Sequence, residues 1–302
     1  MHSGERHALG SEAAVDFLRI REIALTAVAS DDVLSNLLVL KGGNALALVH
    51  RIGKRTSLDL DFSMEADFDN RQQLNRVLTR AVTDRFDAAG YVVFDTSLVF
   101  KPQPRSGRVP DWWGGYTFFF KLIPREEFKK YQGNIEALRI RATPIDDAQH
   151  RKFEIQISRS EYCQGSEKRR VGDYEILVYT PGMIACEKLR AICQQMPEYE
   201  MAGDTARAPR ARDFYDIHAL VEEAGVDFGA PEIVALVKAM FQAKHVPPIL
   251  LRNIGRDAAF HEMDWPKVRN AVRGPVKEFS FYVQSVMAVV GKLEARGVMD
   301  AP

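Results

Sequence analysis

The sequence predicts an α+β fold: a mixed β-sheet with helices before and between its strands, followed by a largely helical C-terminal region. Three stretches carry that expectation. Residues 39–49 read as a short buried strand, a Gly42-Gly43 turn and a helix start. Residues 58–62 alternate apolar and acidic side chains with the two-residue period of a strand. Beyond residue 225 apolar residues recur at helical spacing, as in Phe279, Val283, Val286 and Val290. The expected division is a core with N-terminal helices over 1–170 and a mainly helical region over 171–302 that completes a cleft.

The remaining elements follow along the chain. Residues 11–29 place Val15, Leu18, Ile23 and Leu25 at helical spacing, with Ser11 as N-cap, and a shorter helix begins near Asp31. Residues 70–89 read as a helix stopped by Gly90, and Tyr91 opens a strand. Pro, Gly and Arg dominate 101–115, which reads as a loop before the β-prone run 116–123. In 152–158, Phe153, Ile155 and Ile157 share one side of a strand, and Glu154, Gln156 and Ser158 the other. A short strand within 171–179 leads to Thr180 as N-cap and Pro181 at the first helical position. In that helix Ile184, Leu189 and Ile192 form an apolar stripe, with Lys188 and Arg190 off it. After a flexible connection over 197–209 another helix starts, where Asp213 and Asp216 share a face and Arg212 can pair with Asp216 at i, i+4. Helices over 232–244, 264–273 and 276–295 complete the chain, with a break at Pro247-Pro248.

Composition bounds the function. Lys plus Arg equals Asp plus Glu, so any nucleic-acid surface must be a local patch. No apolar run approaches the roughly 20 residues of a membrane span, and the N-terminal segment lacks a signal-peptide apolar core. No membrane partner and a cytoplasmic location are therefore expected. Cys163, Cys186 and Cys193 form no CxxC pair and read as buried thiols, and no His spacing points to structural zinc.

The chemistry concentrates in 39–63. Adjacent glycines let the backbone pass close to a ligand, and N–H groups at a helix start donate to phosphate oxygens, although plain connection also explains such a turn. Asp59 and Asp61 share one face with Cα atoms about 6.5–7 Å apart, where two carboxylates repel unless a cation lies between them. Hard divalent ions such as Mg²⁺ take such oxygen ligands and complete their shells with water and phosphate. A solvated acidic strand face is the alternative. Together, turn and carboxylate pair point to Mg²⁺-dependent chemistry on a nucleoside triphosphate.

At these residues the chain resembles the DNA polymerase β-like nucleotidyltransferase superfamily and, within it, the AbiEii/AbiGii toxin family. Lys41-Gly42-Gly43-Asn44-Ala45-Leu46 and Arg55-x-Ser57-x-Asp59-Leu60-Asp61-Phe62 carry the resemblance, joined by the helix around Lys188 and by Arg212-Asp213-Phe214-Tyr215-Asp216-Ile217. Asn44 stands where members commonly carry Thr or Ser. The resemblance implies a polymerase β-like core and a two-ion Mg²⁺ site, with Mn²⁺ as substitute, at Asp59, Asp61 and Glu154. Glu154 would also accept the proton of the attacking hydroxyl, although an exposed Glu on an amphipathic strand fits the pattern as well. Lys41, Gly42, Gly43, Asn44, Arg55 and Ser57 would hold the nucleotide, and Lys188 would balance triphosphate or pyrophosphate charge. Asp213 occupies the acidic position, either orienting Lys188 or Arg212 or meeting the nucleotide. The activity implied is transfer of a nucleoside monophosphate to RNA, foremost tRNA, by a toxin opposed by a cognate antitoxin or serving phage defence. Transfer to a Ser or Tyr of a protein, or nucleotide binding without turnover, are the alternatives.

Two surface features stay open. Trp112 and Trp113 either pin their loop to the core, the favoured reading, or stack on a base. Lys121, Arg125, Lys129, Lys130, Arg139 and Arg141 form either a solvated face or an acceptor-RNA surface.

Overall fold

A computed structural model describes residues 6–54, 59–101, 110, 112–145, 149–199 and 207–300, with side chains from residue 18 onward. Its strands are β1 (Val39–Lys41), β2 (Leu60–Ser63), β3 (Tyr91–Lys101), β4 (Gly115–Pro124), β5 (Phe153–Ser158), β6 (Glu167–Val171) and β7 (Tyr174–Val178). They form one mixed sheet in the order β3-β4-β5-β2-β1-β7-β6. β2 runs parallel to β5 and antiparallel to β1, and β1 runs parallel to β7. The α+β expectation therefore holds. Leu40, Phe62, Ile155 and Phe118 are buried on neighbouring strands and form the centre of the core.

The N-terminal helices cover one face of this sheet. α1 (Arg6–Ala29) begins five residues before Ser11, which lies inside the helix and not at its N-cap. Asp31 caps α2 (Asp32–Leu37) by accepting the N–H groups of Val33 and Leu34. The glycine turn forms the short helix α3 (Gly42–Asn44), which runs into a π-helical turn (Ala45–His50) ended by Arg51 in the left-handed region. α4 (Arg71–Ala88), capped by Asn70, sets Phe86 against Phe120 of β4 with ring centroids 5.6 Å apart. α5 (Arg125–Tyr131) and α6 (Ile135–Arg141) follow β4 at the surface.

The opposite face meets α7 (Pro181–Cys193), enclosed in turn by α8 (Ala211–Ala224) and α9 (Pro231–Gln242). Thr180 accepts the Met183 N–H at 3.2 Å and Pro181 opens the helix, as its sequence requires. The expected narrow stripe of α7 is corrected: Lys188 and Arg190 are as buried as Leu189, because α7 is covered on every side. Charges placed there need carboxylate partners. A 3₁₀ turn (Pro248–Asn253), α10 (Ala258–Glu262), α11 (Trp265–Ala271) and α12 (Phe279–Glu294) complete the helical part, with α12 packed on α8.

The sheet also extends further along the chain than expected. β6 and β7 form a hairpin, and β7 lies directly beside β1, so the division at 170/171 falls inside the hairpin and the helical part begins at Pro181. β6 escapes a pattern search because Glu167-Lys168-Arg169-Arg170 is a charged edge strand without an apolar face. Cys163, Cys186 and Cys193 are all buried and free.

Candidate active site

The non-core face of the sheet collects the polar side chains. Lys41 pairs across the ladder with Asp61, Asp61 with Gln156, and Gln156 with Thr117. Because Leu60 is the partner of Ile155, Asp59 and Glu154 stand one step back on the same face. The parallel pairing of β2 and β5 thus brings Asp59, Asp61 and Glu154 together, and Gln156 donates toward the Glu154 carboxylate at 3.5 Å. Among the described residues no three His, Cys, Asp or Glu side chains close into a metal cage.

Electrostatics marks the carboxylate pair. Asp59 is pushed up to about 6, first by burial and then by the charges of Asp61 and Glu154, against the pull of Arg212 and Lys101. Asp61 is also raised, chiefly by burial, while Lys41 and Arg212 oppose the shift. A cation between the carboxylates removes that penalty. An all-oxygen donor set of two carboxylates with a third beside it fits a hard divalent ion that keeps water and phosphate in its shell.

The turn before this pair is shaped by it. Gly42 has φ +70°, and a Cβ there would lie 2.5 Å from Asp61 Oδ2. Both the backbone conformation and the carboxylate demand glycine. Asn44 is fully buried, and its Nδ2 donates to the Asp59 carbonyl at 2.5 Å while its Oδ1 accepts from Arg21 at 3.3 Å. Its amide thereby fixes the backbone that carries Asp59. Arg55 and Ser57 lie outside the described residues.

Across the cleft, α7 and α8 present a buried ionic cluster. Lys188 donates to Asp213 at 3.0 Å and to Asp216 at 2.6 Å, and Arg210 donates to the other Asp213 oxygen at 2.6 Å. Burial alone would raise Asp213, but Arg210 and Lys188 outweigh it and hold the carboxyl far below the usual range. Of the roles open to Asp213, this geometry gives it the fixing of Lys188. The expected Arg212–Asp216 pair does not form, since Asp216 turns inward to Lys188 and Arg212 outward. Exposed Arg212 makes no ion pair among the described residues; it lines the cavity, where its charge lowers the pKa of Asp59 and Asp61.

Lys41, Gly42, Gly43, Asp61, Lys188 and Arg212 all line this cavity, of about 190 Å³. Lys41 itself donates to Ser158 at 3.1 Å and Glu187 at 3.5 Å, with Glu161 at 3.6 Å. Burial pulls its pKa down, yet Glu161 and Glu187 more than offset that, and the net shift is upward. Glu161 is held down to about 2 against its own burial by Arg190, Lys41 and Lys244. Sequence reading missed Ser158, Glu187 and Arg210. Ser158 was legible as the next residue on the Glu154 face, and Arg210 as a cation three residues before Asp213. Glu187 carries no signal beyond its neighbour Lys188.

The family model for "Nucleotidyl transferase AbiEii toxin, Type IV TA system" matches residues 23–285. The chain belongs to the AbiEii family. AbiEii proteins are nucleotidyl transferases, so this chain is an enzyme that transfers a phosphorus-containing group, and its family is that of a toxin–antitoxin system. Membership implies a nucleotide substrate and a cognate antitoxin. A search of curated proteins returned no match.

In this AbiEii chain the tryptophan pair is pinned, as favoured: Trp112 lies 4.4 Å from the His245 ring and Lys244 donates to the Trp112 carbonyl at 3.1 Å. The basic residues near α5 and α6 are largely neutralised. Lys129 pairs with Glu126, Lys130 with Glu127, Arg125 with Asp87, and Lys121 and Arg139 with Asp95. Arg141 lies over the Tyr131 ring. No helix among the described residues is long and apolar enough to cross a membrane.

Proposed function

We propose that the protein transfers a nucleoside monophosphate from a nucleoside triphosphate to a hydroxyl of RNA, with tRNA the leading acceptor, as a cytoplasmic toxin that an antitoxin opposes. The observation that carries this reading is the raised carboxylate pair Asp59/Asp61 beside the Gly42-Gly43 turn, with Arg212 lining the same cavity. Asp59 and Asp61, with Glu154 beside them, would hold Mg²⁺, or Mn²⁺ in its place. When bound, the ion supplies Lewis-acid neutralisation of phosphate charge.

The protein's own groups then divide the work. The open Gly42-Gly43 backbone receives the phosphates, and Arg212 compensates their charge without first losing a carboxylate partner. Lys188, held by Asp213 and Asp216, presents a fixed positive charge to the departing side. As the acceptor oxygen bonds to the α-phosphorus, its proton passes to Glu154. The bridging oxygen leaves with pyrophosphate as the bond between the α- and β-phosphates breaks. Toxicity would follow from modified tRNA failing in translation, in a setting that includes phage defence.

The test is incubation with each triphosphate radiolabelled at the α-phosphate, Mg²⁺ and total cellular RNA, beside the Asp59→Ala protein. Label in tRNA-sized RNA with the unmutated protein alone is the expected result. Label on protein would replace the acceptor class, and no label in either fraction would overturn the reading.

A further inference from the structure

A second cavity adjoins the one that holds Asp61. Its volume is about 370 Å³, and Lys41, Gln156, Ser158, Glu187 and Arg210 line both spaces. Sites for small organic ligands run from about 300 to 1,000 Å³. By that measure the 190 Å³ space suits phosphates and falls short of a nucleoside, whereas its neighbour is large enough.

The linings differ in the same sense. The smaller space is walled by charged groups, glycine and amides, without an aromatic ring. The larger one adds the aromatic residues Trp113 and Tyr116, together with Ile157, Ala191, Gln194 and Gln195. Trp113 is held in place from several directions. Its carbonyl accepts from Arg159 at 2.9 Å, the preceding carbonyl accepts from Lys244, and the Tyr199 ring packs against it at 5.8 Å. A ring fixed in this way loses little entropy when a flat ligand stacks on it.

The amides are oriented too. Gln195 Oε1 accepts the Ala208 N–H at 2.8 Å, so the Gln195 amide is turned with its oxygen engaged and its NH₂ left to donate. Gln194 Oε1 accepts from Arg190 at 3.5 Å, and its side chain is also hydrogen-bonded to Tyr199. Base edges carry the carbonyl and ring-nitrogen acceptors that such donors meet.

We infer that this neighbouring cavity takes the nucleoside end of the triphosphate, with Trp113 stacking on the base and Gln195 donating to its edge. The inference rests on the nucleotidyl-transfer reading of the adjoining cavity. A triphosphate with its phosphates at Gly42-Gly43 and Asp61 passes the shared wall at Lys41 and Ser158 and enters the larger space base first. Stacking accepts any base, and the Gln195 amide supplies the preference among bases.

The experiment compares equilibrium binding of the four ribonucleoside triphosphates and of inorganic tripolyphosphate, all with Mg²⁺, to the full chain and to Trp113→Leu. Leucine keeps an apolar group against Tyr199 and removes the stacking face. The unmutated chain is expected to bind at least one nucleotide more tightly than tripolyphosphate. Trp113→Leu should weaken that nucleotide by about 5- to 100-fold and leave tripolyphosphate unchanged. Gln195→Leu, on the opposite wall, gives a second reading if the first variant folds poorly, with a smaller loss confined again to nucleotides.

Nucleotide affinity unchanged in both variants overturns the inference, as does equal weakening of nucleotide and tripolyphosphate. Unchanged nucleotide affinity with slowed labelling of RNA assigns the cavity to the acceptor instead. Tripolyphosphate bound as tightly as every nucleotide removes the nucleoside pocket but leaves the phosphate site. Binding of neither ligand removes both readings.

Discussion

Gly42 and Asp61 occupy each other's space: a Cβ on the glycine would stand 2.5 Å from the carboxylate oxygen Oδ2. The turn and the acidic strand are 19 positions apart in sequence, yet each fixes what the other can be. Gly42→Ala is therefore expected to push the Asp61 carboxylate off its position as well as to strain a backbone with φ +70°. The strain costs about 1–2 kcal/mol, and displacement of the carboxylate should lower nucleotidyl transfer by more than about 100-fold. A thermal melt beside the labelling assay separates the effects; full activity in a folded variant would disprove the coupling.

Asp61→Ala and Asp213→Ala should behave in opposite ways. Asp61 is one of two carboxylates that raise each other's cost in a buried face, so its removal abolishes transfer and leaves the chain folded. Asp213 binds both Lys188 and Arg210, and its loss takes one carboxylate from each of these cations at a cost of about 3–5 kcal/mol. Urea denaturation of the two variants distinguishes them. Similar midpoints would show that the α7–α8 cluster does not hold the fold.

Asp59 makes the metal-free protein sensitive to pH. Its folded pKa of about 6 lies above the ordinary 3.8, so its contribution to stability is full below 3.8 and is lost as pH rises through 6. In EDTA, Asp59→Asn should gain stability relative to the unmutated chain between pH 4.5 and 7.5. Mg²⁺ at the upper pH should then raise the melting temperature of the unmutated chain more than that of the variant. A constant difference across the range, with no effect of Mg²⁺, would count against both the shift and the ion.

Asn44→Ala separates a clamp from a phosphate contact. With the amide gone, the Asp59 carbonyl and Arg21 each lose a partner, at a cost of about 1–3 kcal/mol in stability. A phosphate contact would instead raise KM for the nucleotide and leave the urea midpoint in place. Denaturation together with steady-state kinetics decides between them.

Lys129→Ala combined with Lys130→Ala should leave RNA labelling unchanged, because both ammonium groups are engaged by Glu126 and Glu127. A marked loss of labelling would return this face to the acceptor.

Much of this was legible without coordinates. The two-residue period of 58–62 and 153–158 assigned the faces of two strands, since the pleat leaves no other choice. Asp31, Asn70 and Thr180 marked helix starts because their side chains accept N–H groups that the first turn cannot satisfy. What lay next to what was not legible. Whether Glu154 stands beside Asp59 depends on the β2–β5 register, a pairing between segments more than 90 residues apart that no local pattern encodes. Burial of Lys188 and Arg190 depends on α8 and α9 closing over α7, and their carboxylate partners come from other segments: Asp213 and Asp216 on α8, Glu161 before β6. Asn44 had the composition of a ligand contact and the position of a clamp. The sequence by itself determined which residue types stood ready for the chemistry and which side of each strand they took. Only the tertiary structure decided which charges cancel in close pairs and which, like that of Arg212, act on Asp59 and Asp61 across a cavity, because Coulomb interactions and desolvation act on distances that chain order does not specify.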